Sequence, residues 1–399
     1  RGIKLSVSDN KLHFSAPQNI LTDEDKDILK KNKKEIIKFL LDHTESEIIV
    51  DEEDKYEKFP LTDIQLSYLV GQDNVYKFGG TNCKIYTEIE YEQIELNKAQ
   101  YAWEQVIKYN DMLHAVINQE GTQEILSSYT VPQIVFSDLS DMENAEVIIA
   151  QKRESLTKKQ YRVGTWPLFD VEITKLKNKY ILHISLDMLV ADFVSINVIL
   201  NEFEEVYYNG KLSFKQQLSF RDIVLYKESL KKTVNGKKKY EEDKKYWEKR
   251  IPRLSEVPEF PVVEQQEKEV LFTQYKFFLE SDEYEKLCDL AKNFQLTPSS
   301  LILTAYAEAL RKISKNQSFC IDVTMVDRPP FHPSIDRVIG DFTTANILEV
   351  EDLDYTNYFE KAKKIQHRLW EDLSHNSFSS KEVLREMGKR IKKEITVPA

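Results

Sequence analysis

The stretch from Tyr180 to Val206 places the tightest constraint on the fold. Tyr180–Leu186 is a short apolar run with the length of a strand, and Ile196, Ile199, Leu200, Phe203 and Val206 then recur at helical spacing. From Phe59 onward, strands of this kind alternate with long amphipathic helices, which predicts an α/β fold. At 399 residues the chain is long for one core, so size scaling predicts two or three compact units.

The composition, 41% hydrophobic and 31% charged, is ordinary for a globular protein, and no run of about 18 uncharged apolar residues could span a bilayer. The start RGIKLSVSDN lacks the apolar block of a secretory signal. A soluble, cytoplasmic protein without a membrane partner is expected. Cys83, Cys288 and Cys320 are widely separated with no CxxC pair, which argues against a disulfide framework and against a zinc cluster; no metal site is expected. A net charge of -11 disfavours a general nucleic-acid surface, and the basic run Lys231–Lys245 is interleaved with acids, as on a solvated helix.

Residues 1–45 read as a small unit of their own. KLSV and KLHF flank Ser8-Asp9-Asn10, a polar turn, and so predict a β-hairpin. Thr22, followed by Asp23, Glu24 and Asp25, gives a helix start with acids in its first turn, and Ile36–Leu41 supply the apolar side of a second helical segment. So small a core is marginal, and self-association or docking is a natural way to cover its apolar face. Residues 46–58 form an acidic linker, 59–226 an N-terminal lobe, and 227–399 a charged connection with a C-terminal lobe. In that second lobe Thr297-Pro298-Ser299 opens a strong helix.

Two segments stand out chemically. In HISLDMLVADFVS (183–195), Asp187 falls where a strand ends and Asp192 just before a helix begins, with Met188, Leu189 and Val190 between them. Carboxylates in apolar company are either a tuned acid/base site or a buried structural ion pair, and physics alone favours the structural reading. In DVTMVDRPPFHPSIDRVIGDFTT (322–344), Arg328 and Asp341 sit in a strand followed by a proline-rich, non-helical passage. Arg328 is a partner for one of the carboxylates, because a guanidinium matches a carboxylate in a bidentate way; a surface position for it stays equally open. His183, alone on an alternating strand, reads as a satisfied core or surface group rather than a base. There is no GxSxG, Gly-rich phosphate loop, HExxH or histidine pair, which weakens hydrolase, nucleotide-binding and zinc readings.

These segments, with FPLTDIQLSYLVGQ (59–72), NDMLHAVINQEGTQEIL (110–126), WPLFD (166–170), YWEKRIPRL (246–254), TPSSLILTAYAEAL (297–310) and RLWEDLSHNSFSSKEVLREM (368–387), resemble the heterocyclization domains of nonribosomal peptide synthetases. The resemblance covers 59–399. Condensation domains of that superfamily carry HHxxxDG where this chain has DMLVAD, and heterocyclization domains carry DxxxxD. Related sequences usually have Arg-His at Tyr109 and Asn110.

The resemblance implies two chloramphenicol-acetyltransferase-like lobes in a V, with a tunnel for two phosphopantetheine arms supplied by upstream and downstream carrier proteins, and no cofactor bound by this chain itself. It implies amide formation with a carrier-bound Cys, Ser or Thr, then cyclodehydration to a thiazoline or oxazoline. A condensation-only enzyme or a non-catalytic scaffold are the alternatives. Asp187 and Asp192 would be the catalytic aspartates, with Asp192 holding the loop through Arg328 and Asp187 facing the tunnel; Ser195, Arg328, Asp341 and Thr343 would be the supporting, tunnel-lining set. A threonine and an aspartate used in cyclodehydration are expected beyond Ala399, so the C-terminal lobe is expected to be incomplete. GIKLSVSDNKLHFSAP with LTDEDKDILKKNKKEIIKFLL resembles the N-terminal docking domains of hybrid polyketide and peptide synthetases. Their exposed hairpin takes up the C-terminal peptide of the preceding synthetase, and the domain can dimerise. Lys4 and Lys11 would sit near that edge and favour an acidic tail.

Overall fold

The structure is a computed structural model that describes residues 4–8, 11–15, 23–42, 48, 50–72, 80–214, 217–261, 277–328, 332–351 and 357–391. At the N-terminus, β1 (Lys4–Ser8) and β2 (Lys11–Ser15) form the expected hairpin, antiparallel with Lys4 opposite Ser15 and Ser8 opposite Lys11. Helices α1 (Asp23–Lys31) and α2 (Lys33–Asp42) follow, and α2 packs on both strands. Asp9, Asn10 and Thr22, and the side chains of Lys4 and Lys11, lie outside the described residues. The acidic segment that reads as a linker is tied down where it is described. Ile48 packs on the core that follows, the Asp51 amide donates to Asp222 Oδ1 (3.3 Å), and Lys55 pairs with Asp111 (2.7 Å).

The chain divides into two compact units, one of Gly2–Ser229 with Val326–Thr343, the other of Leu230–Met325 with Thr344–Ala399. The lobe read as continuous from 227 to 399 is therefore interrupted. The physical reason is local: Arg328 and Gly340–Phe342 bond to residues of the first unit, as described below.

In the first unit, β3 (Phe59–Pro60) leads into α3 (Asp63–Gly71), then β4 (Lys84–Tyr91) and α4 (Leu96–Tyr109). After β5 (Ala115–Ile117) and β6 (Thr122–Ile125) come β7 (Val135–Asp138), α5 (Ala145–Lys158), β8 (Phe169–Lys175), β9 (Tyr180–Asp187), α6 (Phe193–Asn209) and α7 (Phe220–Lys232). The sheet order is β4-β9-β8-β7, with β9 antiparallel to both neighbours and β7 parallel to β8. Side chains alternate across a strand, so β9 serves two layers. Leu182, Ile184 and Leu186 join Val106, Ile107, Ile199 and Phe203 of α4 and α6 in the main core. Ile181 meets Ile149 of α5, and His183, Ser185 and Asp187 share its face. Cover on both faces explains why every residue of β9 from Ile181 to Asp187 is buried, the polar ones included. Helix α6 stops at Gly210, whose φ of 74° is the left-handed cap that glycine adopts without strain.

The second unit holds α8 (Val234–Arg250), α9 (Ser281–Asn293), α10 (Pro298–Ile313), β10 (Phe319–Val326) paired with β11 (Thr343–Val350), α11 (Tyr358–Leu373) and α12 (Ser380–Ile391). The start signalled by Thr297-Pro298 is present: Thr297 caps α10 by accepting from the Ser300 amide. Helix α8 is more than a charged connection. It buries Trp247 with Cys320, Ile347, Phe378, Val383 and Met387, and it buries Asp243, which Lys239 and the Ser377 amide hold at 2.6 and 3.0 Å. No helix among the described residues is long and apolar enough to cross a membrane.

Candidate active site

The loop between β9 and α6 is the centre of the site, and its two ends are built differently. The register Lys84↔Asp187 brings the end of β9 against the start of β4, and the ladder continues as the Met188 amide donates to Cys83 O (2.9 Å). Asp187 is fully buried there. Its Oδ1 accepts from the Leu189 amide (2.9 Å) and its Oδ2 from Asn82 Nδ2 (2.7 Å). Burial pushes this carboxyl up to about 6, against those two bonds and the charge of Lys84. Both oxygens are engaged, and the side chain is enclosed.

Asp192, also fully buried, is the N-cap of α6 and accepts at Oδ1 from the Ser195 amide (2.7 Å). Arg328 Nη2 reaches both its oxygens, at 2.9 and 3.1 Å, and the Phe342 amide donates to Oδ2 (3.3 Å). The pairing is not the forked, two-nitrogen contact expected. Arg328 Nη1 is spent on the carbonyls of Ile335 and Val338 (3.0 and 2.7 Å), and the guanidinium lies 4.1 Å from the Phe342 ring centre. Ser195 Oγ accepts from Gly340 N and from Arg328 Nη2, both at 3.1 Å. Its single proton serves either Asp192 Oδ1 (2.7 Å) or Gly340 O (3.0 Å). Gly340 also accepts from the Asp192 amide (3.1 Å), and a Cβ at this position would lie 2.2 Å from the Phe220 ring. Only glycine lets the backbone come this close.

Asp341 lies between Gly340 and Phe342 and is 1% exposed. Its Oδ1 accepts from the Thr343 amide (3.0 Å), while Oδ2 has no partner among the described residues. Burial first, then the charges of Asp192 and Asp187, push this carboxyl up to about 7. The Cys83 sulfur sits 3.4 Å from that of Met188, and desolvation, with Asp187 and Asp341 adding to it, pushes the thiol up to about 11. Asp187, Asp192, Ser195, Arg328, Asp341 and Thr343 are thus neighbours in one unit. His183 is away from them, a satisfied core histidine between Tyr86 Oη and Thr174 Oγ1, each at 2.9 Å.

Sequence reasoning passed over three residues. Gln65 Nε2 donates to Leu189 O inside the loop (2.6 Å) and to Gln123 Oε1 (3.0 Å), while Gln123 Nε2 donates to Pro60 O (3.0 Å). The pattern Thr62-x-x-Gln65 signals a capping box, which is present, but nothing in it signals the reach of Gln65 into the loop. Asn82 carried no signal, since its role follows from strand register alone.

Residues 55–394 match the profile of the family described as Condensation domain, and residues 1–42 that of the TubC N-terminal docking domain. The chain belongs to the condensation-domain family, and the α/β fold expected from the sequence is that family's fold. Bacitracin synthase 1 of Bacillus licheniformis is 31% identical over 85% of this chain, which spans 6% of that protein. Phenyloxazoline synthase MbtB of Mycobacterium sp. (strain MCS) is 26% identical over 83% of this chain and 28% of its own length. The chain therefore spans less than a third of either relative. The solved EpoB NRPS cyclization-docking bidomain from Sorangium cellulosum matches 98% of this chain and 79% of its own at 26% identity, with a TM-score of 0.84.

Proposed function

We propose that this chain is the heterocyclization portion of a nonribosomal peptide synthetase, preceded by a docking domain. The observation that carries the reading is the buried aspartate pair at the ends of one loop, with methionine at 188 where an amide-forming relative carries histidine. Similarity to a cyclization-docking bidomain over nearly the whole chain supports it. The amine of a carrier-bound Cys, Ser or Thr attacks the upstream acyl thioester and releases the phosphopantetheine thiol. The side-chain thiol or hydroxyl then adds to the new amide carbonyl, and loss of the former carbonyl oxygen as water, with the amide proton, closes a thiazoline or oxazoline.

In this reading Asp192, Arg328 and Ser195 hold the loop, and Asp187 with Asp341 forms the group able to gain or lose a proton near neutrality, where acid–base help counts for about two to four orders of magnitude. The chain carries no cofactor of its own; both phosphopantetheine arms arrive on carrier proteins. The hairpin β1–β2 would accept the C-terminal peptide of a preceding synthetase by strand addition, aided by Lys4 and Lys11, and the docking domain would pair with a second copy. Such an assembly works in the cytoplasm.

The test is intact mass spectrometry of the downstream carrier, loaded with Cys, Ser or Thr in separate reactions and incubated with an acyl-loaded upstream carrier and the complete parent protein. An adduct lighter by one water, lost in Asp187→Ala, is expected. A hydrated adduct alone would make this a condensation enzyme, and no adduct would leave a recruiting scaffold.

A further inference from the structure

Asn82 lies two residues before β4 and is 7% exposed. Every polar group of its side chain is engaged: Nδ2 donates to Asp187 Oδ2 (2.7 Å) and to Tyr161 O (3.1 Å), and Oδ1 accepts from the Tyr161 amide (3.2 Å). Its own backbone amide donates to Gln160 Oε1 (3.1 Å). One side chain thus joins the start of β4, the turn after α5 and the end of β9. Among the described residues, no other side chain is hydrogen-bonded to Asp187.

Apart from the Leu189 amide on Oδ1, the remaining groups around Asp187 do not hold its orientation. Lys84, opposite Asp187 in the ladder, acts through its charge, and its amine is spent on Lys159 O. Cys83 and Asp341 sense the Asp187 charge, as does Tyr161, whose hydroxyl donates to Asp170 Oδ2 (2.9 Å). Asp170 is also held by Lys159 (2.6 Å). A short amide-to-carboxylate bond favours the ionised acid, and its geometry fixes which oxygen is left to the Leu189 amide.

We propose that Asn82 is a positioning residue for Asp187, whose side-chain amide sets the carboxylate's orientation and favours its charged form while tying it to the Lys159–Tyr161 turn. For its consequence in ring formation the proposal rests on the heterocyclization reading. Its first test does not.

In the 399-residue chain labelled with 13C at aspartate carboxyls, the Asp187 signal is assigned by its loss in Asp187→Asn and titrated in wild type and in Asn82→Ala. Losing a hydrogen bond to a charged group is expected to raise the midpoint by about one pH unit. Asn82→Asp keeps the shape and the acceptor for the Tyr161 amide, so it serves even where Asn82→Ala folds poorly. By placing a second carboxylate against Asp187 it is expected to split the titration into two steps with the upper one above the wild-type midpoint. The pH midpoint of ring formation by the parent protein should move upward in step. Unchanged midpoints in both variants overturn the proposal, whatever ring formation does. Shifted midpoints without a ring from any form, wild type included, support the positioning role and sink the heterocyclization reading instead.

Discussion

The two ends of the loop from Asp187 to Asp192 carry the same side chain at the same depth, yet the fold treats them oppositely. Asp192 has a guanidinium on both oxygens, two backbone amides and the N-terminus of α6. Asp187 has one backbone amide and one neutral side-chain amide, and burial pushes it up to about 6. Asp341 adds a further acid, pushed up to about 7. Burial alone therefore does not say whether a carboxyl is an anchor or a titrating group. The buried counter-ion decides, and Arg328 is committed to one end.

The largest effect that could break this contrast is expected from Arg328→Met. It would leave Asp192 buried without a cation, which costs about 3–5 kcal/mol. Urea unfolding of the variant against wild type measures it, and a loss under about 1 kcal/mol would mean that the amides and the helix end suffice to hold Asp192.

A pH effect should follow at the other end. The folded chain holds the Asp187 proton up to about pH 6, whereas an unfolded aspartate loses it near its ordinary value of about 4. Between these values the folded state binds more protons, so this group's contribution to stability is complete below the lower value and is lost as pH rises through the upper one. Asp341 acts in the same sense over a wider window. Asp187→Asn should flatten the fall in stability between about pH 4 and 6 by about 2–3 kcal/mol, read from unfolding midpoints across that range. An unaltered pH profile would mean that Asp187 does not exchange its proton in this window.

Gly340→Ala tests the backbone that clasps Asp192. The added methyl meets the Phe220 ring, and relieving the overlap is expected to cost about 1–3 kcal/mol by thermal unfolding while leaving the Asp187 titration in place.

Much of this site was readable before the fold was known, for reasons that can be named. Periodicity carries strand β9 and helix α6, and an aspartate directly before an apolar helical pattern is an N-cap by local chemistry alone. Arg328 could be paired with a carboxylate by charge, although the backbone carbonyls that claim half its guanidinium could not be foreseen. What stayed hidden depends on contacts distant in sequence. Asn82 matters because Lys84 lies opposite Asp187, and the segment 326–343 leaves its sequence neighbours because Asp192 and Ser195 bind it. The charged helix α8 misleads for the opposite reason: its lysines dominate the composition, while Trp247 and Asp243 alone mark the buried face.

The smallest expected effects give the sharpest comparison, because they remove one hydroxyl from each side. Ser195 Oγ serves Arg328, Gly340 N and one of two acceptors, so Ser195→Ala strips a partner from a buried amide and from a committed cation. A loss of about 1–2 kcal/mol is expected. Thr343 bonds to Asp341, an acid that already favours its neutral form, and the backbone amide that reaches Oδ1 survives in Thr343→Val. That change should cost less than about 1 kcal/mol and move the Asp341 titration further up, because the Thr343 hydroxyl, which favours the charged form, is gone. Parallel urea titrations of the two variants decide the matter. If Thr343→Val proves the costlier, the charged form of Asp341 is the one the fold is built to hold, and the division between an anchored and a titrating end fails.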